Sequence, residues 1–204
     1  MPSGLNGTMP DDAPVLLFLH GSGGVRDELA WLAARVPARW RTVLLQAERP
    51  VGAGFEWFEA GRDPRFPARS ADVAPVADRV IRWIDHHAGG APVAALGWSQ
   101  GGATALHAMR RAPGRLAFVV ALGAFTTTDG ESGDGELARR RPPVFWGRGG
   151  HDDVIPPSDI ARMRAFLPAH TTLEERVYPE AGHEIPERMA DDAMRFVAAH
   201  SAGL

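Results

Sequence analysis

Five short, nearly unbroken apolar runs, separated by longer stretches of helical periodicity, restrict this chain to a layered α/β architecture. The runs fall at 15–19, 42–45, 93–96, 118–122 and 144–146. Segments apolar on both sides suit strands of a mainly parallel sheet covered by helices on both faces. A sixth segment, 172–178, alternates apolar with charged residues and suits an edge strand. Helices are predicted at 27–35, 72–86, 100–111, 158–166 and 187–200, with Ser70 or Asp72 placed to cap the second. The stretch 50–69, rich in Gly, Pro and aromatics, reads as a long loop over the sheet's carboxyl edge. The stretch 126–135 reads as a polar, mobile loop. A chain of 204 residues fits one domain around a single core, here taken as 1–204 with 1–13 flexible.

Composition removes whole classes of chemistry. There is no cysteine, so disulfides, thiolate metal sites and thiol nucleophiles are excluded. All 22 basic residues are arginine, which excludes lysine Schiff bases and the phosphate-loop lysine. A net charge of −3 and a pI near 6.2 leave no basic footprint for nucleic acid. The run Arg139-Arg140-Arg141 reads as a solvated face. No stretch has the length of a membrane span, and 1–14 lacks the apolar core of a signal peptide. The expectation is a cytoplasmic protein, with monomer and homodimer both open.

The sharpest local signal is Gly97-Trp98-Ser99-Gln100-Gly101-Gly102, a G-x-S-x-G pattern after a predicted strand and before a predicted helix. Such a turn lifts the Ser99 hydroxyl above the sheet and aims the next helix's N–H groups at developing negative charge. A serine hydroxyl needs a base and an orienting acid, expected downstream in the order acid, then histidine. Asp152 and Asp153, just past the fifth strand, are the candidate acids, with Asp152 favoured. His183, preceded by Gly182 in the loop after the last strand, is the candidate base. The other histidines fit less well. His86, His87, His107, His170 and His200 fall on or beside predicted helices and read as surface residues; His20 reads as a brace for the loop after the first strand; His151 is awkwardly placed beside the acid. Oxyanion donors are expected from the Gln100 N–H and, within His20-Gly21-Ser22-Gly23-Gly24, from the Ser22 N–H.

With these residues in place, the chain resembles the phospholipase/carboxylesterase branch of the α/β-hydrolases. The likeness rests on Phe18-Leu19-His20-Gly21-Ser22-Gly23, the Ser99 motif, Asp152-Asp153-Val154-Ile155-Pro156 and Gly182-His183-Glu184. It implies an α/β-hydrolase fold, a triad of Ser99, Asp152 and His183, an oxyanion hole from Ser22 and Gln100, and no metal or cofactor. One departure concerns the acid: Arg148-Gly149-Gly150-His151 adds length after the strand, and Asp153 therefore stays an alternative.

The segment 125–141 is too short and polar for a large helical cap, so an open site for short- to medium-chain acyl esters is expected. Gly21, Gly23, Trp57, Phe58 and Phe125 are the candidate substrate-binding residues, with Phe55 beside them; core packing is the competing role for the aromatics. The expected partner is a small-molecule acyl ester. Thioester hydrolysis, lysophospholipase action, acyl transfer or a non-catalytic binding role would use the same fold.

Overall fold

Strands form where the apolar runs lie. In the computed structural model, which describes residues 12–59, 68–202 and 204, β1 (Val15–Leu19), β2 (Arg41–Leu45), β5 (Val93–Trp98), β6 (Val119–Leu122), β7 (Pro143–Gly149) and β8 (Thr172–Tyr178) build one sheet. Its order is β2-β1-β5-β6-β7-β8, and every pairing is parallel. Thr172–Tyr178 is an edge strand, as its alternation predicts. The period-two geometry of a strand sends successive side chains to opposite faces, and β1 shows the consequence. Val15, Leu17 and Leu19 join one core cluster while Leu16 and Phe18 join the other.

Helices α2 (Ser70–His87), α3 (Gln100–Arg111), α4 (Asp134–Arg140) and α5 (Pro157–His170) cover the first face. The second is covered by α1 (Ala30–Ala33), which continues a 3₁₀ turn at Arg26–Leu29, and by α6 (Glu187–Ala199). Helix α2 is capped by Asp72, whose carboxylate accepts the Arg69 N–H at 2.9 Å; the Ser70 hydroxyl meets Thr127 instead. Of the N-terminal stretch expected to be flexible, residues 1–11 lie outside the described ones, and Ala13 is already buried.

Three expectations need correction. Within 50–69, the beginning is a hairpin: β3 (Arg49–Val51) and β4 (Gly54–Glu56) pair antiparallel around Gly52, whose φ is +56°; strands this short leave almost no periodic signal. Residues 60–67 lie outside the described ones. The stretch 126–135 is packed, because the buried Arg110 guanidinium donates to Thr126 and Thr127 hydroxyls, to the Asp129 carbonyl and to both Asp134 carboxylate oxygens. Arg139, Arg140 and Arg141 are exposed, as a solvated face requires, and Arg141 also caps α5 by donating to the Pro168, Ala169 and Thr171 carbonyls. His107 is buried to 1 % exposure, since α3 is enclosed by the sheet, α2 and this packed loop.

Burial drives the His107 pKa down to about 4; Glu131, 3.2 Å from Nε2, opposes this, and Arg110 and Arg111 reinforce it. The unfolded chain therefore takes up a proton near pH 6.5 that the folded chain refuses until about pH 4, so this residue makes the fold less stable as pH falls through that window. Urea unfolding of His107→Gln should show a shallower loss of stability between those pH values than the parent. An unchanged slope would contradict the buried neutral imidazole.

Candidate active site

Between β5 and α3 stands a single residue, Ser99, with φ 52° and ψ −116°. A non-glycine residue there stores roughly 1–3 kcal/mol of strain and persists only where its surroundings over-determine it. The Ser99 N–H donates to the Leu122 carbonyl at 2.8 Å, and its own carbonyl accepts from Ala103 at 3.1 Å. The flanking glycines let the chain double back. A Cβ on Gly97 would sit 2.4 Å from Gly101 backbone atoms, and one on Gly101 would sit 2.2 Å from the Leu19 carbonyl oxygen.

Three of the predicted residues meet here. His183 Nε2 lies 3.0 Å from Ser99 Oγ, and His183 Nδ1 lies 2.8 Å from Asp152 Oδ2. The other Asp152 oxygen accepts the N–H groups of Val154 and Ile155, each at 3.0 Å. Burial works to raise the Asp152 pKa, but the hydrogen bonds from His183 and these two amides outweigh it and hold the carboxyl below its ordinary range. An ionised carboxylate only accepts, so Nδ1 carries the imidazole proton and the Nε2 lone pair faces the serine hydroxyl. Asp153 is exposed, and the imidazole faces Asp152.

The extra length after the fifth apolar run is absorbed by the sheet. Strand β7 continues through Arg148 and Gly149, paired with Val177 and Tyr178 of β8. The loops beyond are laced together: Gly150 N–H donates to Tyr178 and His151 N–H to Ala181. A Cβ on Gly149 would meet the Gly182 carbonyl at 2.1 Å. Asp152 and His183 therefore rest on two loops in direct backbone contact.

The loop after β1 is held from three sides. Gly21 N–H donates to Glu28 at 2.7 Å. Gly23 N–H donates to the Phe55 carbonyl and Phe55 N–H to the Gly24 carbonyl, each at 2.9 Å. His20 braces it as predicted: Nδ1 meets the Gly21 carbonyl at 2.7 Å and Nε2 accepts the Ala47 N–H. Burial lowers the His20 pKa against the opposing pull of Gly21 and Glu28, consistent with a neutral ring used in both directions. Ser22 is exposed at the turn. The Gln100 N–H opens α3, where first-turn amides have no helical acceptor.

The candidate substrate-binding aromatics sit in the first-face core. Trp57, Phe58 and Phe125 are 5 %, 4 % and 9 % exposed. Trp57 donates its indole N–H to the His20 carbonyl at 2.8 Å, and Phe58 meets Phe125 edge to face at 6.3 Å. Gly21 lies against the Trp98 ring, and Gly23 has φ +80°. The sequence reading missed the Gln100 side chain, which is 1 % exposed. It accepts the Trp57 N–H and donates to the Phe58 carbonyl, both at 2.7 Å, so the residue after Ser99 also fastens the strand end beyond the hairpin. An amide side chain at the start of a buried helix, directly after Ser99, was the available signal.

Between β6 and β7 only the packed loop and the seven-residue α4 intervene, so among the described residues no large cap is present. Among the described residues, no helix is long and apolar enough to cross a membrane.

The sequence pattern of the phospholipase/carboxylesterase family matches residues 8–201, and the chain belongs to that family. A pimeloyl-[acyl-carrier protein] methyl ester esterase of Neisseria meningitidis is 30 % identical over 109 residues, 53 % of this chain and 36 % of that protein. The match thus spans about a third of the relative's length. Among solved structures, SOBER1 of Arabidopsis thaliana superposes with a TM-score of 0.76 at 22 % identity, covering 92 % of this chain and 98 % of that one. A carboxylesterase from Mesorhizobium loti gives 0.77 at 22 % identity, covering 91 % and 88 %. Both share the α/β-hydrolase fold.

Replacing Gln100 with Leu would leave the Trp57 N–H and Phe58 carbonyl buried without partners, at about 1–3 kcal/mol each. Urea unfolding of Gln100→Leu should register a loss of about 2–4 kcal/mol, with faster amide exchange at 55–58. A loss below about 0.5 kcal/mol would show that the clamp contributes little.

Proposed function

We propose that this member of the phospholipase/carboxylesterase family is a serine carboxylesterase for short- to medium-chain acyl esters. The observation that most supports it is the continuous relay from Ser99 Oγ through His183 to Asp152, at 3.0 and 2.8 Å, on a strained turn of the kind that clusters at active sites.

In this reading His183 Nε2 takes the Ser99 proton as Oγ attacks the ester carbonyl carbon. The carbonyl oxygen becomes an oxyanion held by the N–H groups of Ser22 and Gln100. The tetrahedral species collapses as imidazolium Nε2–H protonates the departing alkoxide, leaving an acyl-serine and a free alcohol. Water, deprotonated by the same nitrogen, attacks the acyl carbon; Ser99 leaves with the proton and the carboxylic acid is released. Asp152 stays ionised throughout, fixing the tautomer and balancing the imidazolium charge. Every proton is carried by side chains of this chain, so the reading calls for no metal or cofactor.

Phe58 and Phe125 supply the apolar wall for the acyl group, with Gly21 and Gly23 allowing close approach on the oxyanion side and Trp57 backing them. The short connection between β6 and β7 favours small, soluble substrates over lipid aggregates. The partial likeness to a methyl ester esterase supports a small alcohol leaving group. Thioesters, lysophospholipids and acyl transfer fit the same relay, and a substrate panel separates them.

A fluorophosphonate probe should add one adduct to the parent protein and none to Ser99→Ala; absence of an adduct on the parent would favour a binding protein. On p-nitrophenyl esters from acetyl to decanoyl, Ser99→Ala should lose on the order of 10⁴- to 10⁶-fold in kcat, and Asp152→Asn on the order of 10⁴-fold through the wrong tautomer. Near-normal turnover by Ser99→Ala would end the esterase reading.

A further inference from the structure

Both edges of the His183 ring are occupied, one nitrogen by Ser99 and the other by Asp152. Its face rests on Trp98, the residue immediately before the nucleophile. The two rings have centroids 4.5 Å apart and planes inclined by 32°.

The space around this indole is shaped to hold it in place. A Cβ on Gly21 would come within 2.7 Å of Trp98 Cδ1, and one on Gly123 within 2.5 Å of Trp98 Cζ3 and 3.3 Å of His183 Cε1. The two missing side chains are thus the clearance for one aromatic plate. That plate runs from the loop after β1 to the loop after β6, with the imidazole against it. Trp98 itself is anchored as the last residue of β5, its neighbour Ser99 pinned to Leu122. An imidazole held at two edges only can still rock about the line joining them; contact along its face removes that freedom.

We propose that Trp98 is a positioning residue for the reaction, acting through His183, with its π face supporting the positive charge that the imidazole gains when it takes the serine proton. The ring separation lies within the range of about 6 Å over which a cation is attracted to an aromatic face. The support exists only while His183 is charged, so it lowers the barrier without strengthening substrate binding. This inference rests on the esterase reading above and adds to it the residue that orients the base.

The test uses the full chain and a p-nitrophenyl ester, with active sites counted by fluorophosphonate titration so that only folded enzyme enters kcat. Trp98→Leu should lose about five- to thirtyfold in kcat with KM changed less than about twofold. Trp98→Phe, which leaves a comparable void but keeps a π face, should recover to within about threefold of the parent. Should the leucine variant melt too early to assay, Trp98→Met serves as the non-aromatic partner. Equal losses for the aromatic and non-aromatic variants, or a loss confined to KM, would overturn the proposal and reduce Trp98 to a space filler. The Ser99→Ala control keeps the two readings apart: if it retains turnover the esterase reading fails, whereas a dead Ser99→Ala with indistinguishable Phe and Leu variants defeats the Trp98 inference alone.

Discussion

The left-handed backbone of Ser99 is the constraint on which the rest of the site depends. A residue at φ 52° between a strand and a helix is held there because both neighbours are fixed: β5 lies between β1 and β6, and α3 is buried along nearly its whole length. The stored strain, roughly 1–3 kcal/mol, is small beside the apolar burial of those two elements. A burial of only about 100 Å² of apolar surface offsets it at the usual coefficient near 25 cal/mol per Å². The fold therefore tolerates a turn that sets a hydroxyl at the sheet's carboxyl edge, the place where a parallel sheet opens its loops to ligand.

Around that point, precision comes from loops tied to one another as well as to the strands that carry them. The Asp152 and His183 loops share backbone hydrogen bonds beyond β7 and β8, with glycines at the contact. The loop after β1 is joined to the β3–β4 hairpin by a pair of reciprocal amide bonds and to the end of β2 through a neutral His20. Gln100 adds a third tie, so the helix that begins after Ser99 also holds Trp57 and Phe58. A site assembled this way keeps distances of about 3 Å without requiring each loop to be rigid alone.

Between β6 and β7 the chain places a short segment built on a buried polar network. Arg110 satisfies five acceptors in the packed stretch and α4, and Arg111 bridges Asp78 to Glu131. Fully paired networks of this kind fix one conformation, although removing a single member leaves a buried charge uncompensated. The result is a short, packed connection between β6 and β7.

Much of the architecture was legible in the chain, because burial on both faces of a parallel sheet writes itself as unbroken apolar runs, and a nucleophile turn needs glycines at fixed offsets from the serine. The same local logic singled out His183 and, with less force, Asp152. The hairpin at Arg49–Val51 and Gly54–Glu56, the burial of His107, the packing of the loop at 126–133 and the clamp made by Gln100 were not legible. Each depends on partners distant in sequence, and a pattern of three or four residues carries no record of what will pack over it. The choice between Asp152 and Asp153 shows the division most sharply. Adjacent aspartates are equivalent in composition, and only the register of β7 against β8, which absorbs Arg148 and Gly149 into the sheet, turns one carboxylate toward the imidazole and leaves the other in water.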